Sequence, residues 1–557
     1  MIARSDAVVA LAAETFDVVV VGGGITGAGC ALDAATRGFS VALVERHDYA
    51  SGTSSRSSKL VHGGLRYLQN FDLGLVREAL LERQIMVALA PHLVRPLPLI
   101  VPAFDGARPD RLMGVGLNLY DVMSVDRLRS PLRRGRGRAA ADAMTSWSPD
   151  RHRVIDAAEV AEGLPALAGR APTSGYQFYD CQTDDSRLVL TVLAEAERFG
   201  AVCANGLLVT ELVENGGRAR GVRVRDDATG EAFTVRADNV INATGVWADR
   251  LRPEELHDEA EVPVIRPSRG THVTFRREDL PLNAGAIVPA GGGRFIFALP
   301  WLGGSLVGTT DRDHDTPDLD HVRPAQEDVA YLLDAVNAFF ATELTSSDIT
   351  GAFAGVRPLI SSGDQGKSVD ISRKAELYET SSGMVTITGG KLTTWRRMAK
   401  MAVDRLVERD ARDAPCRTAE IPLGQAVAPD DLVRVEGVAA DAYAALADRY
   451  GHGAHDVLAV AAQRGELAQP IVAGRPDLLA EAVHAARREQ ARTVGDVLLR
   501  RTRLGLLAAR DVTADGGAAA RRVAAAMAAD RGWDAAEQER QASAFLDEAR
   551  AEGLVPA

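Results

Sequence analysis

Gly22, Gly24 and Gly27 spell G-x-G-x-x-G directly behind the β-branched run Phe16-Asp17-Val18-Val19-Val20-Val21. Such a run is of buried-strand type, and the good helix formers from Ala28 to Thr36 predict a helix right after the glycines. In that setting Gly22 allows the tight turn, Gly24 lets a pyrophosphate approach the backbone, and Gly27 lets the helix pack on the strand. The helix N-terminus then offers N–H groups and the positive end of its dipole to phosphate. Gly38 stops the helix, and a second strand, Val41 to Val44, ends at Glu45, 23 residues after Gly22. A carboxylate there accepts hydrogen bonds from ribose hydroxyls and repels a 2′-phosphate, which disfavours NADP. Three glycines alone make only a strand-to-helix turn; strand, helix and acid together make a dinucleotide site. The choice between NAD and FAD falls to two later segments. Ile241-Asn242-Ala243-Thr244-Gly245 is a strand ending in a small-residue turn, and Gly389-Gly390-Lys391-Leu392-Thr393-Thr394 is a glycine turn opening a helix. Several separated segments converging on one cofactor suit FAD, whose length requires more contact than one βαβ unit offers.

The elements that must position these residues indicate an α/β chain, α+β overall. A Rossmann-like FAD-binding domain is expected from three discontinuous pieces, 16–75, 180–255 and 350–408. A mixed-sheet substrate domain, 76–179 and 256–349, is inserted between them. Two helical stretches are read between Leu75 and Leu89, then an extended crossing marked by Pro91, Pro96, Pro98 and Pro102. A helix from Leu188 to Arg198 precedes strand-like Leu207 to Leu212, Gly221 to Val224 and Phe233 to Val235, and Asn239 to Ala243 reads as a further buried strand. Residues 1–15 read as a flexible extension, 409–424 as a linker, and 425–557 as a helical C-terminal domain.

Length and composition bound what such a chain does. At 557 residues it exceeds one compact domain. Its 46% apolar and 25% charged residues exclude wholesale disorder and coiled-coil rods. The net charge of −12 weighs against general nucleic-acid binding, so an anionic partner must be met locally. Cys30, Cys181, Cys203 and Cys416 form no C-x-x-C pair, which indicates neither a disulfide scaffold nor a metal site and fits a reducing compartment. Apolar runs fall short of the roughly 18 residues that span a bilayer, and the N-terminus lacks a signal-peptide pattern. The expectation is a cytoplasmic protein.

Together GGGITGAG, the run TSSRSSKLVHGGLRYL from Thr53, INATG, SRGTHV from Ser268, GTTD from Gly308, GVRPL from Gly355 and GGKLTTWR from Gly389 resemble the FAD-dependent glycerol-3-phosphate dehydrogenases, respiratory flavoproteins of the D-amino-acid-oxidase-like superfamily. Order and spacing agree over residues 16 to 405. The resemblance implies oxidation of sn-glycerol 3-phosphate to dihydroxyacetone phosphate, hydride passing to FAD N5 and electrons leaving to a quinone or another acceptor.

A phosphomonoester dianion needs fixed cations, and the matching strings hold Arg66, Arg357 and Lys391. Arg66 and Lys391 are assigned to the phosphate, and Arg357 to the reacting carbon. Tyr67, His272 and Thr310 complete the expected pocket, with His272 or a water as base; a cationic neighbour such as Arg357 depresses the histidine's pKa. FAD is expected to touch Gly22, Gly24, Ile25, Thr26, Gly27, Glu45 and Arg46. It also meets Thr53, Ser54, Ser57, Ser58, His62, Gly63, Gly64 and Val209, then Ala243, Thr244 and Gly245, then Gly390, Lys391, Leu392 and Thr393.

The segment from Asp105 to Arg138 holds eight arginines against four aspartates, interleaved with apolar residues. This basic island reads as a dock for anionic lipid on the inner face of the cell membrane, as a solvated arginine loop, or as a patch pairing with the acidic remainder of the protein; sparse aromatics set nucleic acid aside. A homodimer is a further candidate assembly. Three rival readings stand beside the dehydrogenase: an oxidase passing electrons to oxygen, an inert flavin-binding sensor, and an NAD-dependent dehydrogenase.

Overall fold

The computed structural model describes residues 1–64, 72–105, 111–125, 151–251, 264–314, 316–361 and 375–556. Its first sheet runs in the order Ala375–Glu379, Val385–Gly389, Ala232–Asn242, Thr15–Val21, Val41–Val44, Val202–Ala204. All neighbours from Val385–Gly389 to Val202–Ala204 pair in parallel. A parallel sheet is covered on both faces, which is why Val18, Val19 and Val20 are all fully buried rather than alternating. On one face pack the helices Ile25–Thr36, Asp185–Arg198 and Trp395–Arg409. Gly29 makes this packing possible: a Cβ there would lie 2.6 Å from the buried Trp395 ring.

The other face is covered by the hairpin Leu207–Asn215 and Arg218–Asp226, which extends the same sheet from Ala232–Asn242, and by a helix at Arg4–Ala13. The extension expected to be flexible is therefore ordered, because Ala7 and Leu11 are buried against the sheet and Arg4 pairs with Asp226 at 2.8 Å. Phe233 to Val235 and Asn239 to Ala243, read apart in the sequence, form one strand. Its first half pairs antiparallel with Arg218–Asp226 and its second half parallel with Thr15–Val21. The two helical stretches after Leu75 are likewise one helix, Leu73–Leu89.

Among the described residues the second sheet has ten strands. Its long strands Val264–Arg276 and Ile349–Ser361 pair antiparallel, placing Ser268 opposite Arg357 and His272 opposite Phe353. The proline-marked crossing is the strand Arg95–Ala103, which pairs along its whole length with Ser174–Gln182. Pro96, Pro98 and Pro102 all fall on even positions, so the odd residues keep their N–H groups for an antiparallel ladder.

Beyond the 409–424 segment, which docks through buried Leu423 and its N–H on the Leu89 carbonyl, the chain is helical as expected. These helices sit on the back of the second sheet. The Leu506 carbonyl accepts from Thr274 Oγ1 at 2.7 Å, and that of Leu554 from Ala352 N at 2.8 Å.

Candidate active site

The G-x-G-x-x-G turn opens onto a cleft of about 1400 Å³, its open mouth included, lined by segments 21–26, 44–54, 207–210, 243–251 and 387–392 together with Pro358 and Met398. Gly22 has φ +110°, and a Cβ on it would come within 2.7 Å of the Ala243 carbonyl oxygen; a Cβ on Gly27 would lie 1.9 Å from that of Gly22. Turn, helix and the INATG turn therefore close on one another only as glycines. Asn242 shapes the latter by accepting from Thr244 N and Oγ1 and donating to the Ala248 carbonyl.

At the start of the helix the Ile25 N–H donates to Ser54 Oγ at 3.0 Å, while the amides of Thr26 and Gly27 belong to the first turn, where no intrahelical acceptor exists. Glu45 lines the cleft and accepts from Gly23 N at 2.7 Å and from His47 N at 2.8 Å. Burial pushes its carboxyl up, and these backbone donors pull against that. Two accepted bonds leave lone pairs on the same carboxylate for a diol. The Arg46 guanidinium lies 4.5 Å over the Trp247 ring, and both line the cleft.

Glycine cradle, first-turn amides, carboxylate and five converging segments fit FAD. Of the residues expected to touch it, Gly22, Gly24, Ile25, Thr26, Glu45, Arg46, Thr53, Ser54, Val209, Ala243, Thr244, Gly245, Gly390, Lys391 and Leu392 line the cleft. The others are not among its lining residues. Gly27 seats helix on turn. Ser57 bonds Asp185, Ser58 bonds His272, and Thr393 Oγ1 accepts from the His62 N–H at 3.1 Å. Gly63 is buried, its N–H on Tyr120 Oη at 2.9 Å, and Gly64 adopts φ 77°.

Of the residues expected to meet the substrate, Arg357, His272 and Thr310 lie on or next to strands of the second sheet. Arg357 donates to Thr309 Oγ1 at 3.0 Å, the Thr310 carbonyl at 3.1 Å and Asp311 Oδ1 at 3.2 Å, and Ser268 Oγ holds the same Asp311 oxygen at 2.6 Å. Thr310 turns its own Oγ1 to the Thr271 N–H. Pro358, next to Arg357, lines the cofactor cleft, and Thr53 Oγ1 reaches the Val356 carbonyl at 2.6 Å, so the two sheets meet at Arg357. His272 is buried, stacked on Phe353 with centroids 4.9 Å apart, and its Nε2 is 2.9 Å from Ser58 Oγ. Burial first, then Lys59 and Arg357, drive its pKa well below the usual histidine range, so the ring is neutral. Arg66 and Tyr67 lie outside the described residues.

Residues 17–405 match the FAD dependent oxidoreductase family, and residues 416–538 match the C-terminal domain of alpha-glycerophosphate oxidase. Over 553 residues the chain is 38% identical to "Glycerol-3-phosphate dehydrogenase 2" of Mycobacterium tuberculosis, covering 98% of this chain and 90% of that one. The chain belongs to the FAD-dependent glycerol-3-phosphate dehydrogenase family. This family member is also 36% identical over 519 residues to the mitochondrial glycerol-3-phosphate dehydrogenase of Rattus norvegicus, covering 88% of this chain and 68% of that one. The glycerol-3-phosphate dehydrogenase of Bacillus halodurans, solved in complex with FAD, superposes with a TM-score of 0.76 at 29% identity, over 98% of this chain and 97% of that one. FAD is the cofactor of this dehydrogenase-family chain.

Sequence reasoning about this flavoprotein missed several residues. Ser268, Thr309 and Asp311 lie inside quoted strings, and their polarity there was the available signal. Tyr120, Asp180 and Arg83 hold the Gly63 turn: Tyr120 Oη donates to Asp180 Oδ1 at 2.7 Å, and Arg83 binds the same oxygen at 2.5 Å. No local pattern marks these three. Lys59, inside the TSSRSSK string, has its Nζ fully buried on the Ser55 carbonyl and both Asp185 oxygens.

Proposed function

We propose that the protein oxidises sn-glycerol 3-phosphate to dihydroxyacetone phosphate. The observation carrying this reading is that cations stand where the cofactor cleft meets the second sheet: Lys391 lines the cleft, and Arg357 directly precedes Pro358, which lines it too. When bound, FAD supplies the hydride acceptor. Oxidation at C2 takes a hydride from carbon and a proton from the hydroxyl. Arg357 orients that hydroxyl and stabilises the negative charge growing on its oxygen. Lys391 holds the phosphate and Thr310 borders the pocket; the resemblance gives the same roles to Arg66 and Tyr67, which lie outside the described residues. His272 receives the proton. Its Nε2 is engaged by Ser58, and its Nδ1, buried and without a hydrogen-bond partner among the described residues, is the atom left to accept it. Because the ring is held neutral, that lone pair is available at neutral pH.

The electrons pass on to a quinone or another acceptor, from a peripheral position on the cytoplasmic face of the membrane. No helix among the described residues is long and apolar enough to cross a bilayer. The helix Arg111–Val125 instead exposes Val115, Leu119 and Val122, spaced i, i+4 and i+7, along one face. In sequence it is followed by the arginine-rich stretch from Arg127 to Arg138. An apolar stripe beside cationic residues matches a surface of anionic lipid.

Anaerobic mixing with sn-glycerol 3-phosphate tests the reaction. Wild-type flavin absorbance is expected to bleach, and Arg357→Ala to slow bleaching by about 100-fold, the scale of one lost electrostatic donor. Equal rates in the two proteins remove Arg357 from the reaction, and an unbleached wild type overturns the substrate. In air, reduction of a quinone analogue is expected to outpace peroxide formation; stoichiometric peroxide makes oxygen the acceptor.

A further inference from the structure

The C-terminal domain has no residue in the reaction described above, yet one of its side chains is built into the back of the site. Arg503 is fully buried, in a left-handed backbone conformation at φ 64°. Its Nη2 donates to the Ser55 carbonyl at 2.7 Å and to Asp185 Oδ1 at 2.9 Å, and its Nη1 to its own domain at the Leu499 carbonyl, 2.7 Å. Asp185 gathers further donors from the cofactor side: Lys59 Nζ at 2.9 and 2.8 Å, Ser57 Oγ at 2.7 Å, Ser57 N at 3.1 Å and Ser186 N at 2.9 Å. Ser57 Oγ in turn accepts from Lys59 N at 3.0 Å. The turn from Ser55 to Lys59 is thus tied to Asp185 directly through Ser57 and Lys59, and at its start through Arg503 and Lys59, which both donate to the Ser55 carbonyl; Ser58, between Ser57 and Lys59, faces His272 Nε2 at 2.9 Å.

Two cations on one buried carboxylate are poor stabilisers, because desolvation of each charge offsets the attraction. Lys59 displays that cost: burial, then Arg503, bring its pKa down to about 7 although Asp185 pulls the other way. What the arrangement does achieve is geometric. We propose that Arg503 is a positioning residue for the oxidation: from the C-terminal domain it locks Asp185 and the Ser55 carbonyl, setting the turn so that the Ser58 hydroxyl engages His272. The proposal rests on the reading of His272 given above, and it makes the helical domain a working wall of the site.

Its test is a double-mutant cycle on the holoenzyme with Arg503→Lys and Ser58→Ala. The measurements are the rate of anaerobic flavin bleaching per bound flavin and the sn-glycerol 3-phosphate concentration at half-maximal rate. Lysine keeps the charge but, with one nitrogen, cannot hold the Leu499 carbonyl while also donating to Ser55 and Asp185, as the two terminal nitrogens of the guanidinium fork do. Each single variant is expected to bleach about ten-fold more slowly, with the half-maximal concentration unchanged because Arg357 and Lys391 are untouched. The double variant is expected to match the singles rather than multiply to about 100-fold, since both changes break one linkage. Asp185→Asn takes the place of Arg503→Lys in the cycle if the latter fails to retain flavin. Multiplicative losses, or a wild-type rate in Ser58→Ala, overturn the proposal. A wild type that the substrate does not bleach fails the functional reading instead, so the two failures are told apart.

Discussion

At the scale of single residues, the site is controlled by what each group is denied. His272 is denied water and set near Lys59 and Arg357, which keeps it neutral. Gly22 and Gly27 are denied side chains, because backbone atoms already fill the space a Cβ would take. Gly27→Val is therefore expected to weaken FAD binding by about ten-fold or more, equivalent to ~1.4 kcal/mol. The ratio of flavin to protein absorbance after purification reads this, and an undiminished ratio refutes it. The glycine motif, Glu45 and the cations of the GVRPL and GGKLTT strings were legible as a string, since each residue's chemistry is intrinsic to it. The partners of Arg357 were less so: Thr309 and Asp311 are ordinary polar residues until the antiparallel pairing of two strands sets Arg357 opposite Ser268.

At the scale of elements, periodicity marked most strands and helices but not where one ends and another begins. Ala232–Asn242 was split in the reading because Arg236 and Asp238 interrupt its apolar pattern; it pairs antiparallel in one place and parallel in the other. The Arg4–Ala13 helix was missed because only Ala7 and Leu11 are buried, too weak a stripe to register. The helix Arg111–Val125 carries the opposite anomaly, an apolar stripe that faces outward. Val115→Glu combined with Val122→Glu is expected to abolish co-sedimentation with vesicles containing phosphatidylserine while leaving substrate bleaching of the flavin unchanged. Co-sedimentation equal to the wild type assigns that stripe another role.

At the scale of the whole molecule, the C-terminal domain is joined to the flavin domain through buried charges. Arg501 meets Asp48 at 2.8 and 2.9 Å, Arg500 meets Asp48 at 2.6 Å, and Arg187 pairs with Glu489. Burial pushes the Glu489 carboxyl up, but Arg187, then His484 and Arg501, outweigh it and hold it at about 2, against an ordinary 4.5. A depressed acid stabilises the fold above its unfolded pKa and loses that contribution as pH falls through the folded value. Stability on the order of 3 kcal/mol is thus expected to disappear between about pH 4.5 and pH 2. Urea unfolding across that window checks it: Glu489→Gln is expected to be less stable at pH 7 and to show a shallower loss on acidification. Parallel pH profiles for the two proteins contradict the assignment.

Class of fold and cofactor were determined by local strings, because a phosphate-binding turn is made by a dozen contiguous residues whose sterics and hydrogen-bonding groups need no distant partner. The tertiary structure alone decided which hydroxyl meets His272 and which carboxylate receives both Lys59 and Arg503. Those contacts join residues hundreds of positions apart, across two sheets and a helical domain, and chain separation carries no periodic signal. Buried ion pairs exist only once the fold has excluded water from both partners.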